Sequence, residues 1–398
     1  MKKFLFVFLA MVMVFTNLYA GGSQPDQKTG VSSELAARKK WAEDNGLNKT
    51  ETVAELYEKA KKEGVMNIYG CTGRIADVAK SFMADYPGIT VNFYDLTIND
   101  MLEKFSREYA AGVRTADILN PKDEVGNVYN EYVKTGLLHN YHPSDIFGDI
   151  VDPAYLALTP FVLELEWWNF NTEKYSDLPI DSWWDITKPE WKGKYVFLDP
   201  TTEPSLPALF AAMVQNNDMM VKEYQRVFGK PIVLDKDEPD AAHAWIKRIA
   251  RNGIILVTSN TDIVDAVGSD AGMKDPPLGY GVSSKLRERD KQGWRLGVHP
   301  NKFPTPTSVV GLLVAQIADQ APHPNAAKLF VRYLCGEAGH KGKGLEPFKS
   351  AGSYPAFKGA EPFANQPKWA DVPLFKFDLD YLYANYMDVS DYWLSVQQ

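Results

Sequence analysis

Three short stretches of the chain combine hydroxyls, small residues and a guanidinium in a way that suits an anion. Cys71-Thr72-Gly73-Arg74 sets a hydroxyl, a residue without a side chain and an arginine in succession. Glycine lets a ligand approach backbone N–H groups closely, and arginine meets phosphate or carboxylate with a planar fork of donors. Thr201-Thr202-Glu203-Pro204-Ser205 and Thr258-Ser259-Asn260-Thr261-Asp262 add further hydroxyls and an amide. Each precedes a helical pattern, so Ser205 and Ser259 are also good N-caps, and capping alone accounts for either. A helix start nevertheless offers free N–H groups and a favourable dipole to an anion. Tyr280, within Leu278-Gly279-Tyr280-Gly281-Val282-Ser283, is placed to stack on or hydrogen-bond a ligand. Glu164 and Glu166 lie two apart in an apolar run. On one strand they share a face, and paired carboxylates are the equipment of a secreted carbohydrate-active enzyme. As residues of a connecting strand they are equally accounted for by solvent or ion pairing.

The elements that must position these loops are legible on either side. Thr52 and Glu55 have capping-box spacing, and Val53, Leu56, Tyr57 and Ala60 recur at helical period up to Gly64. Val65–Tyr69 reads as a strand, the segment with Ile75, Val78, Ala79 and Phe82 as a helix, Ile89–Tyr94 as a strand, Asn99–Ala111 as a helix and Asp117–Asn120 as a strand. This alternation predicts an α/β sheet with parallel pairings. Phe161–Phe170 reads as one long strand. A second α/β region then runs through Tyr195–Leu198, Ser205–Asn216, Ala241–Ala250 and Gly253–Thr258. Val309–Ala318 is again strand-like, and His323 opens a helix to Leu334.

Composition narrows the classes. Lys2 and Lys3, the apolar run Phe4–Phe15 and the small residues from Ala20 to Ser23 have the layout of a secretory leader cut after Ala20. The run is shorter than the about 20 residues a membrane-spanning helix needs. The expectation is a periplasmic protein, with residues 21–50 as an N-terminal extension. The formal charge is −8, and losing the leader's two lysines makes it more negative. That excludes a phosphate-neutralising face for nucleic acid. The two cysteines, Cys71 and Cys335, have the option of one disulfide, subject to its strict spacing. The six histidines are scattered with no zinc spacing, so no metal or cofactor is expected. Trp167-Trp168 and Trp183-Trp184 suit either a cleft wall or a core.

Six segments in order carry a resemblance: Leu56–Gly64 running into the strand that ends at Gly70, "FMADYPGITV" from Phe82, "EYAAGVRTAD" from Glu108, Gly136–Pro143, Asn171–Lys174 before Trp183-Trp184-Asp185, and "HPNAAKLFVRYL" from His323. The chain resembles extracellular solute-binding proteins of ABC importers with the type-2 periplasmic-binding fold, within their ferric-ion and phosphosugar-binding branch. The resemblance implies an α/β fold of two lobes, 50–160 plus 305–398 and 165–300. It implies a hinge of two strands near 161–168 and 295–309, a small-molecule ligand between the lobes, and importer membrane subunits as partners to a monomer. Ferric members hold iron with phenolates, commonly a pair of adjacent tyrosines. This chain has no Tyr-Tyr pair, and Tyr280 stands alone in the matching segment. Hydroxyls, amides and Arg74 favour an oxyanion, such as a phosphorylated sugar or a phosphonate, over iron, which wants several anionic oxygens. Ferric ion remains the alternative, beside polyamine-like and thiamine-like ligands.

Overall fold

The computed structural model describes residues 27–269 and 275–397. The expected leader, 1–20, lies outside them. Among the described residues no helix is long and apolar enough to cross a membrane. The capping box at Thr52 forms as its spacing dictates. The Thr52 hydroxyl accepts the Glu55 N–H at 3.3 Å, the Glu55 carboxylate accepts the Thr52 N–H at 2.9 Å, and Gly64 ends the helix Val53–Glu63 at φ 74°.

The strands, in chain order, are β1 (Val65–Gly70), β2 (Thr90–Asp95), β3 (Ile118–Asn120), β4 (Lys122–Asp123), β5 (Leu138–His139), β6 (Pro160–Glu164), β7 (Glu166–Asn171), β8 (Tyr195–Leu198), β9 (Ile255–Val257), β10 (Leu278–Val282), β11 (Leu296–Val298), β12 (Gly311–Val314), β13 (Gln316–Ala318) and β14 (Ser353–Pro355). They build three sheets. The first has the order β2-β1-β3-β13-β5, the second β11-β7-β10-β8-β9 and the third β14-β6-β12-β4. Where strand and helix alternate, the pairs are parallel: β1 with β2 and β3, and β8 with β9 and β10. The remaining pairs are antiparallel, and the third sheet is antiparallel throughout.

Two apolar runs that read as single strands are each broken. Phe161–Phe170 switches sheets at Leu165, whose N–H leaves the ladder for the Ser283 hydroxyl at 3.1 Å. Val309–Ala318 switches at Ala315, whose N–H goes to the Thr159 carbonyl at 2.9 Å. Apolar patterning marks a buried strand without saying which sheet it joins. The chain therefore passes from the third sheet to the second at Glu164-Leu165-Glu166 and returns between Val298 and Gly311.

A third passage was not anticipated. Residues 373–375 run beside the returning segment, with Thr307 N–H on the Pro373 carbonyl and Phe375 N–H on the Ser308 carbonyl, both 3.0 Å. They lead to the C-terminal helix Leu379–Val396. Its first turn touches the first lobe, where the Asn130 amide donates to the Leu379 carbonyl at 3.3 Å. Its body buries Leu382, Val389 and Trp393 in the second core, with Trp393 5.5 Å from Phe210. Grouping all of 305–398 with the first lobe is thus corrected for this helix. Its amphipathic pattern gave no sign of which core its apolar stripe covers. The aromatic pairs Trp167-Trp168 and Trp183-Trp184 are buried core residues. The Trp183 indole donates to the Pro306 carbonyl at 2.9 Å and the Trp245 indole to the Trp183 carbonyl at 2.7 Å.

Candidate functional site

In a sheet with parallel strands, side chains and N–H groups free to meet a ligand gather beyond the carboxyl ends of the strands. Here β1 ends at Gly70 and turns through Cys71-Thr72-Gly73 into the helix Arg74–Asp85. Next to it β3 ends at Asn120, which accepts the Cys71 N–H at 3.2 Å and is followed by Pro121 and Lys122. Both ends arrive at the crossing Glu164-Leu165-Glu166. From the second sheet, β10 ends at Val282 and gives the short helix Ser283–Glu288, and β8 leads through Asp199 to Ser205. The two sides touch. Ser283 donates to the Gly352 carbonyl, and Gly352, at φ +86°, cannot be replaced because a Cβ would overlap the Ser283 carbonyl.

Arg74 is the centre of this meeting. It donates from Nη2 to Glu164 Oε1 at 2.7 Å and from Nε to the Thr72 hydroxyl at 3.2 Å, and its guanidinium lies 4.5 Å from the centre of the Phe348 ring. Its Nη1 is buried without a partner. Burial raises the Glu164 pKa, but the charges of Arg74 and Lys122 outweigh burial and hold it below the carboxylate range. Arg287 faces this pair from the other side. Burial and then the like charge of Arg74 lower its pKa, while its own contacts are the Ser284 carbonyl at 2.7 Å and Glu288 at 2.9 Å.

Two residues further along the crossing the balance differs. Lys122 pairs with Glu124 at 2.7 Å, and both are nearly buried. Burial lowers its pKa, but Glu124, Glu164, Glu166 and Glu203 together raise it. Glu166 is pushed up to about 8, by burial first and then by the charge of Glu124, with Lys122 and the Ser205 hydroxyl opposing. Glu203 is exposed. Its pKa also rises, through partial loss of water and the charge of Glu124, with Lys122 opposing.

The residues proposed from sequence separate into groups. Thr72, Gly73 and Arg74 do sit at the crossing. At Gly73 a Cβ would meet only Asp95 Oδ2 at 3.6 Å, so no protein atom requires a glycine there. Arg74 is mostly buried, its side chain 13% exposed, and is already paired with Glu164. Ser205 is buried against Glu166. Thr201 and Thr202 are exposed and bond within their own loop, to the Asp199 carboxylate at 2.7 Å and the Asp199 carbonyl at 2.8 Å. Ser259 caps the helix Asn260–Gly268, accepting the Asp262 N–H at 3.1 Å. The Asn260 side-chain Oδ1 accepts the Val282 N–H at 2.8 Å, which holds the end of β10. Thr261 is half-buried in the first turn of the same helix. Tyr280 is a core residue, its hydroxyl on the Thr307 carbonyl at 2.8 Å and its ring 5.3 Å from Trp168. Cys71 and Cys335 are both free, so the optional disulfide is not formed. Burial moves the Cys71 thiol up to about 12.

Lys122, Glu124 and Arg287 are the residues that sequence reasoning missed. The available signal was the charged run Lys122-Asp123-Glu124 directly after an apolar strand, where a solvated turn would be the ordinary reading. Glu164 and Glu166 belong to different strands in different sheets, and Glu164 is neutralised by Arg74, so they are no catalytic pair.

The sequence profile of the bacterial extracellular solute-binding proteins matches residues 77–376, three quarters of the chain. The chain belongs to that family. It is a binding protein of the ABC-importer class and not an enzyme. No curated protein matches it in sequence. Its fold is similar to that of iron-bound HitA from Pseudomonas aeruginosa, with a TM-score of 0.63 and 18% identity over 84% of this chain and 99% of that one. The apo ferric ion-binding protein A of Pasteurella haemolytica gives 0.64 and 18%, over 84% and 98%. The spermidine/putrescine ABC transporter substrate-binding protein PotD of Streptococcus pneumoniae gives 0.57 and 14%, over 84% and 99%. At these identities the likeness speaks for the two-lobed fold of the binding protein and not for its ligand.

Proposed function

We propose that this binding protein closes on a small oxyanion, such as a phosphorylated sugar or a phosphonate, and presents it to the membrane subunits of an importer in the periplasm. The lobes would hinge at 164–166 and 298–311. The observation that carries the reading is a pair of guanidiniums, Arg74 and Arg287, that repel each other from opposite sides of the crossing while Arg74 Nη1 lies buried without a partner. An anion between them relieves the repulsion and fills the vacant donor, and it does so only when the two sides are close. Ligand binding and closure are then one event.

Iron is supported less. Among the described residues no group of three or more His, Cys, Asp and Glu side chains is placed to hold a metal ion. The hydroxyl of Tyr280 is already bonded inside the core.

Calorimetric titration with sugar phosphates, phosphonates, ferric citrate and spermidine tests the reading. Saturable binding of an anion by the wild type, weakened at least tenfold in Arg287→Ala, supports it. Binding of spermidine or iron alone, indifferent to Arg287, sinks it.

A further inference from the structure

An arginine side chain turns about many bonds, and ordering it when a ligand binds costs affinity. Arg74 is ordered without a solute. The side edge of its guanidinium is taken at both positions, Nε by the Thr72 hydroxyl at 3.2 Å and Nη2 by Glu164 Oε1 at 2.7 Å. Two donors of one edge bonded to two different acceptors leave no parallel pair there for the two oxygens of a carboxylate. One face of the plane lies over the Phe348 ring, 4.5 Å from its centre. These supports are fixed in turn. Phe348 is fully buried at the end of the short helix Lys343–Phe348 and meets the Phe161 ring of β6 edge-on at 5.1 Å. The Thr72 carbonyl accepts the Ile75 N–H at 3.1 Å, which pins the backbone that carries the hydroxyl. What remains of the guanidinium is Nη1, buried and without a partner. Arg287 is held differently. Its partners Ser284 and Glu288 lie within three residues of it on its own short helix, and its side chain is 31% exposed.

We propose that Thr72 and Phe348 are positioning residues of the anion site: they set the plane of Arg74 so that Nη1 is the end it offers to a solute's oxyanion. This rests on the oxyanion reading above. Both act through Arg74. Thr72 holds Nε, and Phe348 supports the face of the guanidinium by the attraction between a cation and an aromatic ring. Glu164 also holds the group, but it carries the charge that Arg74 needs, so its removal mixes positioning with electrostatics. Thr72 and Phe348 are neutral. Replacing either leaves the charge at the crossing unchanged, and a change in anion affinity then comes through the geometry of Arg74. With either support gone the solute itself must order the guanidinium, and binding weakens by about three- to tenfold.

The test titrates the mature protein calorimetrically with methylphosphonate and with glucose 6-phosphate. Thr72→Val keeps the shape and loses the hydroxyl, Thr72→Ser keeps the hydroxyl, and Phe348→Leu fills much of the space without a ring face. Thr72→Val and Phe348→Leu should each weaken anion binding by about three- to tenfold, and Thr72→Ser should bind like the wild type. In an Arg74→Lys background there is no guanidinium plane to set, so the same two substitutions should weaken binding no further. A merely structural defect lowers affinity in both backgrounds alike. In the solute-free protein with labelled arginine, the Arg74 Nε–H resonance, identified by its loss in Arg74→Lys, should be shifted by the Phe348 ring and move in Phe348→Leu. Three results overturn this proposal and leave the oxyanion reading standing: wild-type anion binding that Thr72→Val and Phe348→Leu leave intact, equal weakening in the Arg74→Lys background, and an Nε–H resonance that Phe348→Leu leaves in place. A wild type that binds neither anion overturns both.

Discussion

Glu164 and Glu166 are the same residue type, two positions apart, and both are nearly buried, yet their ionisation moves in opposite directions. Arg74 and Lys122 hold Glu164 below its ordinary range, whereas Glu166 is pushed up to about 8. Burial acts on both in the same sense, so it does not explain the difference. The difference lies in the partners. Glu164 ends a strand of the third sheet facing a guanidinium, and Glu166 begins a strand of the second sheet facing other carboxyls. The break at Leu165 turns two neighbours in sequence toward different surroundings. A charged residue at a crossing point is therefore read by what the two sides bring to it, not by its own type.

The most damaging way to break this comparison is Arg74→Ala. It leaves Glu164 buried without its cation, and removing one partner of a buried pair costs about 3–5 kcal/mol. Urea unfolding at pH 7 should show a loss of that order, and anion affinity should fall as well. A loss under about 1 kcal/mol would mean that water reaches Glu164 and that the pair is a surface one.

The pH dependence of stability sharpens the contrast. Glu164 has a lowered pKa, so its contribution is present at neutral pH and lost as pH falls through the folded value. Glu166 has a raised pKa, so stability declines as pH rises from about 4.3 towards about 8, by at most about 1.4 kcal/mol per pH unit. Unfolding curves at pH 5 and 8 should therefore converge in Glu166→Gln relative to wild type, while Glu164→Gln lowers stability at neutral pH and flattens the loss of stability on the acid side. The same slope in wild type and Glu166→Gln would reassign the titration.

At fixed pH 7 the two amide substitutions should also separate. Glu166→Gln replaces a carboxyl that is already neutral and should change stability by no more than about 1 kcal/mol, the worth of one hydrogen bond. Glu164→Gln removes a charge that Arg74 needs and should cost clearly more. The smallest effect is expected from Arg107→Ala. Arg107 is 72% exposed and pairs only with Glu103 at 3.6 Å. Unfolding and titration should both match the wild type, which makes it the control for every arginine change.

Local order was legible throughout. The capping box at Thr52, the αL glycine at position 64, the alternation from Val65 to Asn120 and the cap at Ser259 follow from residue types a few positions apart. Those interactions are local, so the sequence states them directly. The family also followed from ordered segments, and it carried the two-lobed fold with it. The loop at Thr72–Arg74 was found because a strand end, a turn and a helix start are neighbours in the chain.

Three decisions were made only by tertiary structure. The apolar runs 161–170 and 309–318 do not show that they divide between sheets, because a buried strand has the same pattern in any of them. The helix Leu379–Val396 does not show which core its stripe covers. Arg74 does not show whether its guanidinium is free or taken. Its partner Glu164 lies ninety residues away and its rival Arg287 lies on the other side of the crossing. Sequence sets which groups the chain can offer within a few residues of one another. The pairing of charges at the crossing, and with it which carboxyl keeps its proton, depends on segments that meet only when the sheets pack.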